Sequence, residues 1–171
     1  MLRIYINTWG NYNENGAAYG EWITLPMDED DLQEKLKSVA EKMNDHDPEW
    51  FVNDYEWEED SYFKVDEMDS YTDLNEICEQ ISDLDEYDQQ KLLAVIEATG
   101  SNVQEAIDNL DNYTFYQDMN LEDVAYELVE DCYFTKDTPD IFRNYFDYAA
   151  LARDLGFDGY YETEYGVISY N

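Results

Sequence analysis

Carboxylates are the one chemically capable side chain that this sequence holds in number. Of 171 residues, 43 are Asp or Glu, nine are Lys or Arg and one is His, a formal net charge of −34. Carboxylates in this density can chelate a hard cation, work as an acid–base pair, keep a surface hydrated, or stand in for phosphates. Calcium chelation finds an incomplete loop. Asp45, Asp47 and Glu49, with Glu56 in twelfth place, have the spacing of an EF-hand, but Trp50 occupies the sixth place, where that loop needs Gly for its sharp turn. The run that starts at Asp83 and Asp85 has Ala94 in twelfth place and so lacks the bidentate ligand. A glycosidase needs two carboxyl groups in one cleft with separated pKa values, and the sequence singles out no such pair. Two readings stay open: a solvated acidic surface of the halophilic kind, and a surface that imitates nucleic-acid phosphates. B-form DNA carries one charge per about 1.7 Å, so 34 charges correspond to about 58 Å of duplex, or about 17 base pairs.

Other chemistry has little to work with. The single His46 gives zinc sites and imidazole catalysis almost nothing to use. Cys78 and Cys132 lie on helical stripes and outside any CxxC, which reads as two buried, reduced thiols in a reducing cytoplasm. No glycine-rich phosphate loop and no nucleophile elbow is present. The expectation is therefore no enzyme, no metal and no cofactor. The charge opposes direct binding to nucleic acid or to an anionic membrane. There is no apolar run long enough to span a bilayer, and MLRIYINTWG has no apolar stretch of signal-peptide type. Disorder is opposed by composition: 44% of residues are hydrophobic, 16% aromatic and only three are Pro. With no basic groove beside them, the aromatics read as core area, not as a base-stacking platform.

The acids must be held by folded elements. Residues 2–8 alternate as a strand, 9–20 read as an Asn/Gly-rich loop, and 21–26 as a strand closed by Pro26. Leu32, Leu36, Val39, Ala40 and Met43 make one stripe of a helix from Asp28 to Asn44, with Asp28, Glu29, Asp30 and Asp31 crowding its first turn. Residues 49–57 read as a third strand, completing a β-β-α-β unit over 1–62. Short helices follow in 63–111: a stripe of Leu74, Ile77, Cys78 and Ile81 capped by Thr72 or Asp73, a second of Leu92, Leu93 and Ile96 ended by Gly100, and a third of Val103, Ala106, Ile107 and Leu110 capped by Ser101 or Asn102. Residues 112–171 read as strand 113–117, a strongly amphipathic helix opened by Asn120 and running through Cys132, a helix begun by Thr138-Pro139, another over 148–155, and a hairpin over 158–170 turning near Gly166. The fold class is α+β, an elongated chain of three small subdomains. KLLAVIEATGSNVQEAIDNL (91–110) resembles the last two helices of a ubiquitin-associated domain, so a non-catalytic ubiquitin-type or calcium-binding adaptor is the alternative function.

Three stretches carry a wider resemblance. IYINTWGNYNENGAAYGEWITLP (4–26), LEDVAYELVEDCYF (121–134) and YFDYAALARDLGFDGYYETEYGVISY (145–170) resemble the opening, the antirestriction motif and the closing section of the ArdA-type antirestriction proteins. The resemblance implies a cytoplasmic protein of a bacterial host, carried by a conjugative transposon. It implies a curved, dimeric rod that mimics bent B-form DNA in the groove of the methyltransferase core of type I restriction–modification enzymes. The carboxylates expected to face that groove are Asp28, Asp30, Asp31, Glu34, Glu41, Asp54, Glu56, Glu58, Asp66, Asp69, Asp73, Glu76, Glu79, Asp83, Asp85, Glu86, Glu122, Asp123, Glu127 and Glu130. Between residues 54 and 88, 15 carboxylates, Glu59 among them, stand against one base, Lys64. Tyr126, Tyr133 and Phe134, beside the motif's apolar stripe, are the expected self-complementary dimer contact.

Overall fold

The computed structural model describes residues 1–58 and 60–171; Glu59 lies outside the described residues. The chain is mixed α+β and divides into two compact units, Met1–Leu84 and Asp85–Asn171. No helix among the described residues is long and apolar enough to cross a membrane.

The first unit is built on strand alternation. β1 (Leu2–Thr8) lies between β2 (Glu21–Leu25) and β3 (Trp50–Trp57) in an antiparallel sheet of order β2-β1-β3. Leu2, Ile4 and Ile6 point to one face and are fully buried with Ile23 and Leu25. Helix α2 (Glu29–Met43) adds Leu32, Leu36 and Val39 to the same core, and α3 (Tyr71–Asp83) adds Leu74 and Cys78. Each such side chain contributes about 1.5–3 kcal/mol by leaving water. Asp28 caps α2 by accepting the Asp30 N–H at 3.0 Å, and Asn44 ends the helix in the left-handed conformation at φ 54°. In the opening motif, a Cβ at Gly20 would sit 2.6 Å from the Tyr5 ring and 2.8 Å from the Ile6 carbonyl oxygen. That close approach accounts for glycine there.

The second unit begins with α4 (Glu86–Thr99), whose buried Leu92, Leu93, Ala94 and Val95 belong to a helix that packs on all three strands of a second antiparallel sheet. That sheet has the order β4-β6-β5, from β4 (Tyr113–Gln117), β5 (Tyr160–Thr163) and β6 (Gly166–Tyr170). Helix α5 (Val103–Asp108) is capped by Asn102 and followed by a short 3-10 turn. Helix α6 (Leu121–Leu128) packs against the later helix α8 (Tyr148–Leu155) around Val124, Ala125, Ala152, Leu155 and Val167. Between them lies α7 (Asp140–Tyr145).

Several sequence expectations change. Residues 9–15 form a helix, α1 (Trp9–Asn15), instead of loop. Its support is amide hydrogen bonding: Thr8 Oγ1 accepts the Asn11 N–H at 3.1 Å, and buried Asn11 donates to Asn7 Oδ1 at 2.7 Å and to the Ala18 carbonyl at 2.5 Å. The cap of α3 is Ser70, one turn before Asp73, whose N–H its hydroxyl accepts. Thr138 does not cap α7; its hydroxyl accepts the Thr135 N–H at 2.8 Å. The helices expected as a separate middle subdomain are divided between the two units after Leu84. Because α4 lies on a sheet, the 91–110 segment is no part of a free-standing three-helix bundle of the ubiquitin-associated kind.

The motif helix changes winding at its end. Residues Val129–Tyr133 form a π turn, with the Phe134 N–H donating to the Val129 carbonyl at 2.8 Å. Val129 stays buried, but the wider turn carries Cys132 off the stripe and into solvent. The two thiols are thus unlike, contrary to the expectation that both are buried. Burial pushes the Cys78 thiol up to about 12. An aromatic disulfide reagent at neutral pH should therefore modify one thiol, Cys132, in the native protein and two after denaturation. Equal, rapid reaction of both thiols in the native state would contradict this packing.

Candidate functional site

Acid residues collect on the outer faces because the apolar stripes leave them nowhere else, and two helices of the first unit then bring five of them to one groove. The key side chain is Asn75 on α3, which is buried. Its Oδ1 accepts the Met27 N–H and its Nδ2 donates to the Met27 carbonyl, both at 2.9 Å. This two-way amide clamp pins α3 to the turn that enters α2. Asp28 and Glu29 from that turn then face Glu76, Glu79 and Asp83 across a groove of about 590 Å³. The α3 acids recur at three and four residues, so they form one row with about 5 Å of axial rise per charge, against about 3.4 Å per phosphate on one DNA strand.

Few of these charges are neutralised. Among the described residues, five carboxylates have a basic partner: Glu21 with Lys35 and Lys42, Glu56 with Arg3, Glu58 with the chain's amino terminus, Glu130 with Arg143, and Asp154 with Arg153. Hydrogen bonds from Lys35 and Lys42 hold the Glu21 carboxyl below the usual carboxylate range. Any stability it adds is present above the ordinary carboxylate pKa and is lost as pH falls through the depressed value.

Of the twenty carboxylates expected on the outer faces, seventeen are exposed. Asp69, Glu127 and Glu130 are half-buried instead. Asp69 accepts the Asp66 N–H at 2.8 Å, so its carboxylate stabilises its own loop. Glu130 is held by Arg143 and by the Tyr148 hydroxyl at 3.1 Å. Glu127 has a fully enclosed Oε2 with no hydrogen-bond partner. The remaining carboxylates are spread over both units, with Asp85, Glu86, Glu122 and Asp123 in the second. Asp45, which opens the stretch of EF-hand spacing, accepts the Thr8 hydroxyl at 2.7 Å and the Asp47 N–H at 3.2 Å. Among the described residues no three His, Cys, Asp or Glu side chains gather as a metal site would need.

A second surface has the opposite character. Tyr133 and Phe134 line an apolar depression of about 770 Å³ together with Ile141, Phe142, Tyr145 and Phe146. Helix α7 buries none of its residues, and Tyr145 is 84% exposed. Phe134 meets Phe146 edge to face at 5.7 Å, and the Arg143 guanidinium lies 5.0 Å from the Phe134 ring centre. Tyr126, expected with this group, is exposed but does not line the depression; its ring packs on Tyr148 at 5.1 Å. The four α7-region residues were not among the expected contacts. Their signal is legible afterwards: IFRNYF places Ile141, Phe142 and Tyr145 on a helix of six residues with Phe146 directly after it, too many large apolar residues for one narrow stripe.

Residues 4–169 match the family described as antirestriction protein (ArdA). No curated protein matches the chain.

The Asn75 clamp yields a direct test. Asn75→Ala leaves the Met27 N–H and carbonyl without their partner and should destabilise the protein by about 1–3 kcal/mol, measured by denaturant unfolding. An unchanged midpoint would show that the clamp does not hold the groove.

Proposed function

The chain belongs to the ArdA family of antirestriction proteins, whose members act against restriction–modification systems, and we propose that it does so as a DNA mimic. The family is one of inhibitors, so the relevant chemistry is recognition of the restriction–modification enzyme. In this reading the exposed carboxylates occupy the DNA-binding groove in the methyltransferase core of a type I enzyme. The observation that carries it is the acidic surface itself: rows of exposed, largely unpaired carboxylates fixed on ordered helices, with a net charge of −34. A groove lined with Lys and Arg for phosphate accepts such rows without reading bases, because phosphate contacts position a ligand and carry no sequence information. Enzymes of different sequence specificity are then equally open to inhibition.

The same charge selects the place where a second copy can bind. Two acidic surfaces repel, so self-association needs a patch with few charges and much apolar area. The depression around Tyr133, Phe134, Phe142 and Tyr145 has that character, and a homodimer closed about it is the proposed assembly. Phe142→Asp should then lower the apparent mass toward that of one chain in analytical ultracentrifugation; a wild-type protein that is monomeric at every concentration would remove the dimer.

Inhibition by summed charge has a recognisable loss curve. Neutralising one groove acid, such as Glu79→Gln, should weaken enzyme binding by less than about 1 kcal/mol. Converting Asp28, Glu76, Glu79 and Asp83 together to their amides should weaken it progressively and flatten its salt dependence. The check is binding to a type I methyltransferase core at two salt concentrations. Complete loss of binding from a single, folded amide variant would contradict the mimic.

A further inference from the structure

Helix α7 lacks every ordinary means of holding its place. Its six residues are too few to be stable alone, no side chain caps its first turn, and none of its residues is buried. Its exposed apolar side chains nonetheless form a wall of the apolar depression, so something outside the helix fixes it. The tie is Arg143, in its last turn. One guanidinium nitrogen donates to Glu130 on the π turn and the other to the Thr135 carbonyl at 3.0 Å. Glu130 also accepts the hydroxyl of Tyr148, the first residue of α8, at 3.1 Å.

These contacts close into a ring. Phe146 lies 4.9 Å from Tyr148 and 5.7 Å from Phe134, and the Arg143 guanidinium lies over the Phe134 ring at 5.0 Å. Glu130, Arg143, Phe134, Phe146 and Tyr148 thus join the π turn, α7 and α8, all within the second unit. The ion pair in this ring is the least exposed among the described residues, with 31% of the Arg143 side chain and 23% of the Glu130 side chain open to solvent. A pair drawn partly out of water is screened less by salt, and removing one partner leaves the other charge half-buried. An arginine suits the place because its planar fork serves a carboxylate and a carbonyl together while its face lies on a ring.

We propose that the Glu130–Arg143 pair is a latch that holds α7 against the body of the second unit and so shapes the depression at which a second copy binds. Arg143 and Glu130 are positioning residues, and neither lines the depression. The binding of a second copy rests on the assembly proposed above; the latch itself does not. The latch also removes Glu130 from the acids that meet the enzyme, because its charge is answered within the chain.

Native-state proteolysis tests the latch in the whole protein, at a dilution where the chain is monomeric. Chymotrypsin cuts after aromatic residues, and Phe142, Tyr145 and Phe146 lie in or directly after α7, so cleavage there reports opening of this segment. Arg143→Gln and Glu130→Gln should each speed cleavage after these residues by about tenfold or more and leave cleavage elsewhere unchanged. Arg143→Lys keeps the charge but not the fork and should fall between. The double variant should open little more than either single one, because the two residues act as a unit. In analytical ultracentrifugation each single Gln variant should weaken self-association by about tenfold or more. Glu130→Gln keeps an acceptor for the Tyr148 hydroxyl, so it decides the case where the arginine variant does not fold. Wild-type cleavage rates at α7 in either folded variant, or additive effects in the double variant, overturn the latch. Faster cleavage with unchanged self-association overturns its role in assembly. A wild-type chain that is monomeric at every concentration removes the dimer, while the cleavage rates still decide the latch.

Discussion

Like-charge repulsion is the condition under which every element of this chain folds. A net charge of −34 is carried by two compact units of 84 and 87 residues. Two carboxylates about 5 Å apart repel by about 0.8 kcal/mol even in water, before screening by salt. The acids are therefore placed where their charge also does structural work. Asp28, Asp85 and Asp147 each cap a helix N-terminus, and Asp123 closes a capping box with Asn120 in the motif helix. At these positions a negative charge meets the positive end of the helix and takes up an otherwise unpartnered N–H. Most of the remaining acids face outward, with Asp69, Glu127 and Glu130 half-buried among the exceptions.

This arrangement separates two kinds of surface. Charged helix faces invite only cationic partners, which on the proposed reading means the DNA-binding groove of an enzyme. The apolar depression formed after the π turn is suited to a neutral partner or a second copy. The π turn connects the two roles: it keeps Val129 in the core while it turns Tyr133 outward. Hydrogen-bonded polar side chains fix the geometry where apolar burial alone would leave it loose, as with Asn75 under the acidic groove and the buried Asn11 within α1.

Periodicity carried most of the fold. The six strands and the long helices announce themselves through alternation and stripes, as in Leu2, Ile4 and Ile6 or Leu32, Leu36 and Val39. What escaped was held together by something other than a repeating apolar pattern. Helix α1 rests on Asn7, Thr8 and Asn11 side chains, which composition alone assigns to a loop. Cys132 sits at a helical interval from Val129 that holds only if the helix does not widen. The partition into two units depends on Asn75 joining α3 to the first core and on α4 finding the second sheet, contacts between residues far apart in sequence. For the site, seventeen of twenty chosen carboxylates are exposed, since charge alone predicts exposure well. The Glu130–Arg143 latch depends on how the π turn meets α7, which no periodic pattern encodes.

Mutual exclusion with DNA is the central claim, and one measurement addresses it directly. A type I restriction–modification enzyme is loaded with a fluorescent duplex that contains its recognition sequence, and the protein is titrated in while anisotropy and sedimentation are recorded. If the protein mimics DNA, the duplex is displaced in full and more protein is needed as the duplex concentration rises. A stable complex in which enzyme, duplex and protein sediment together would contradict it.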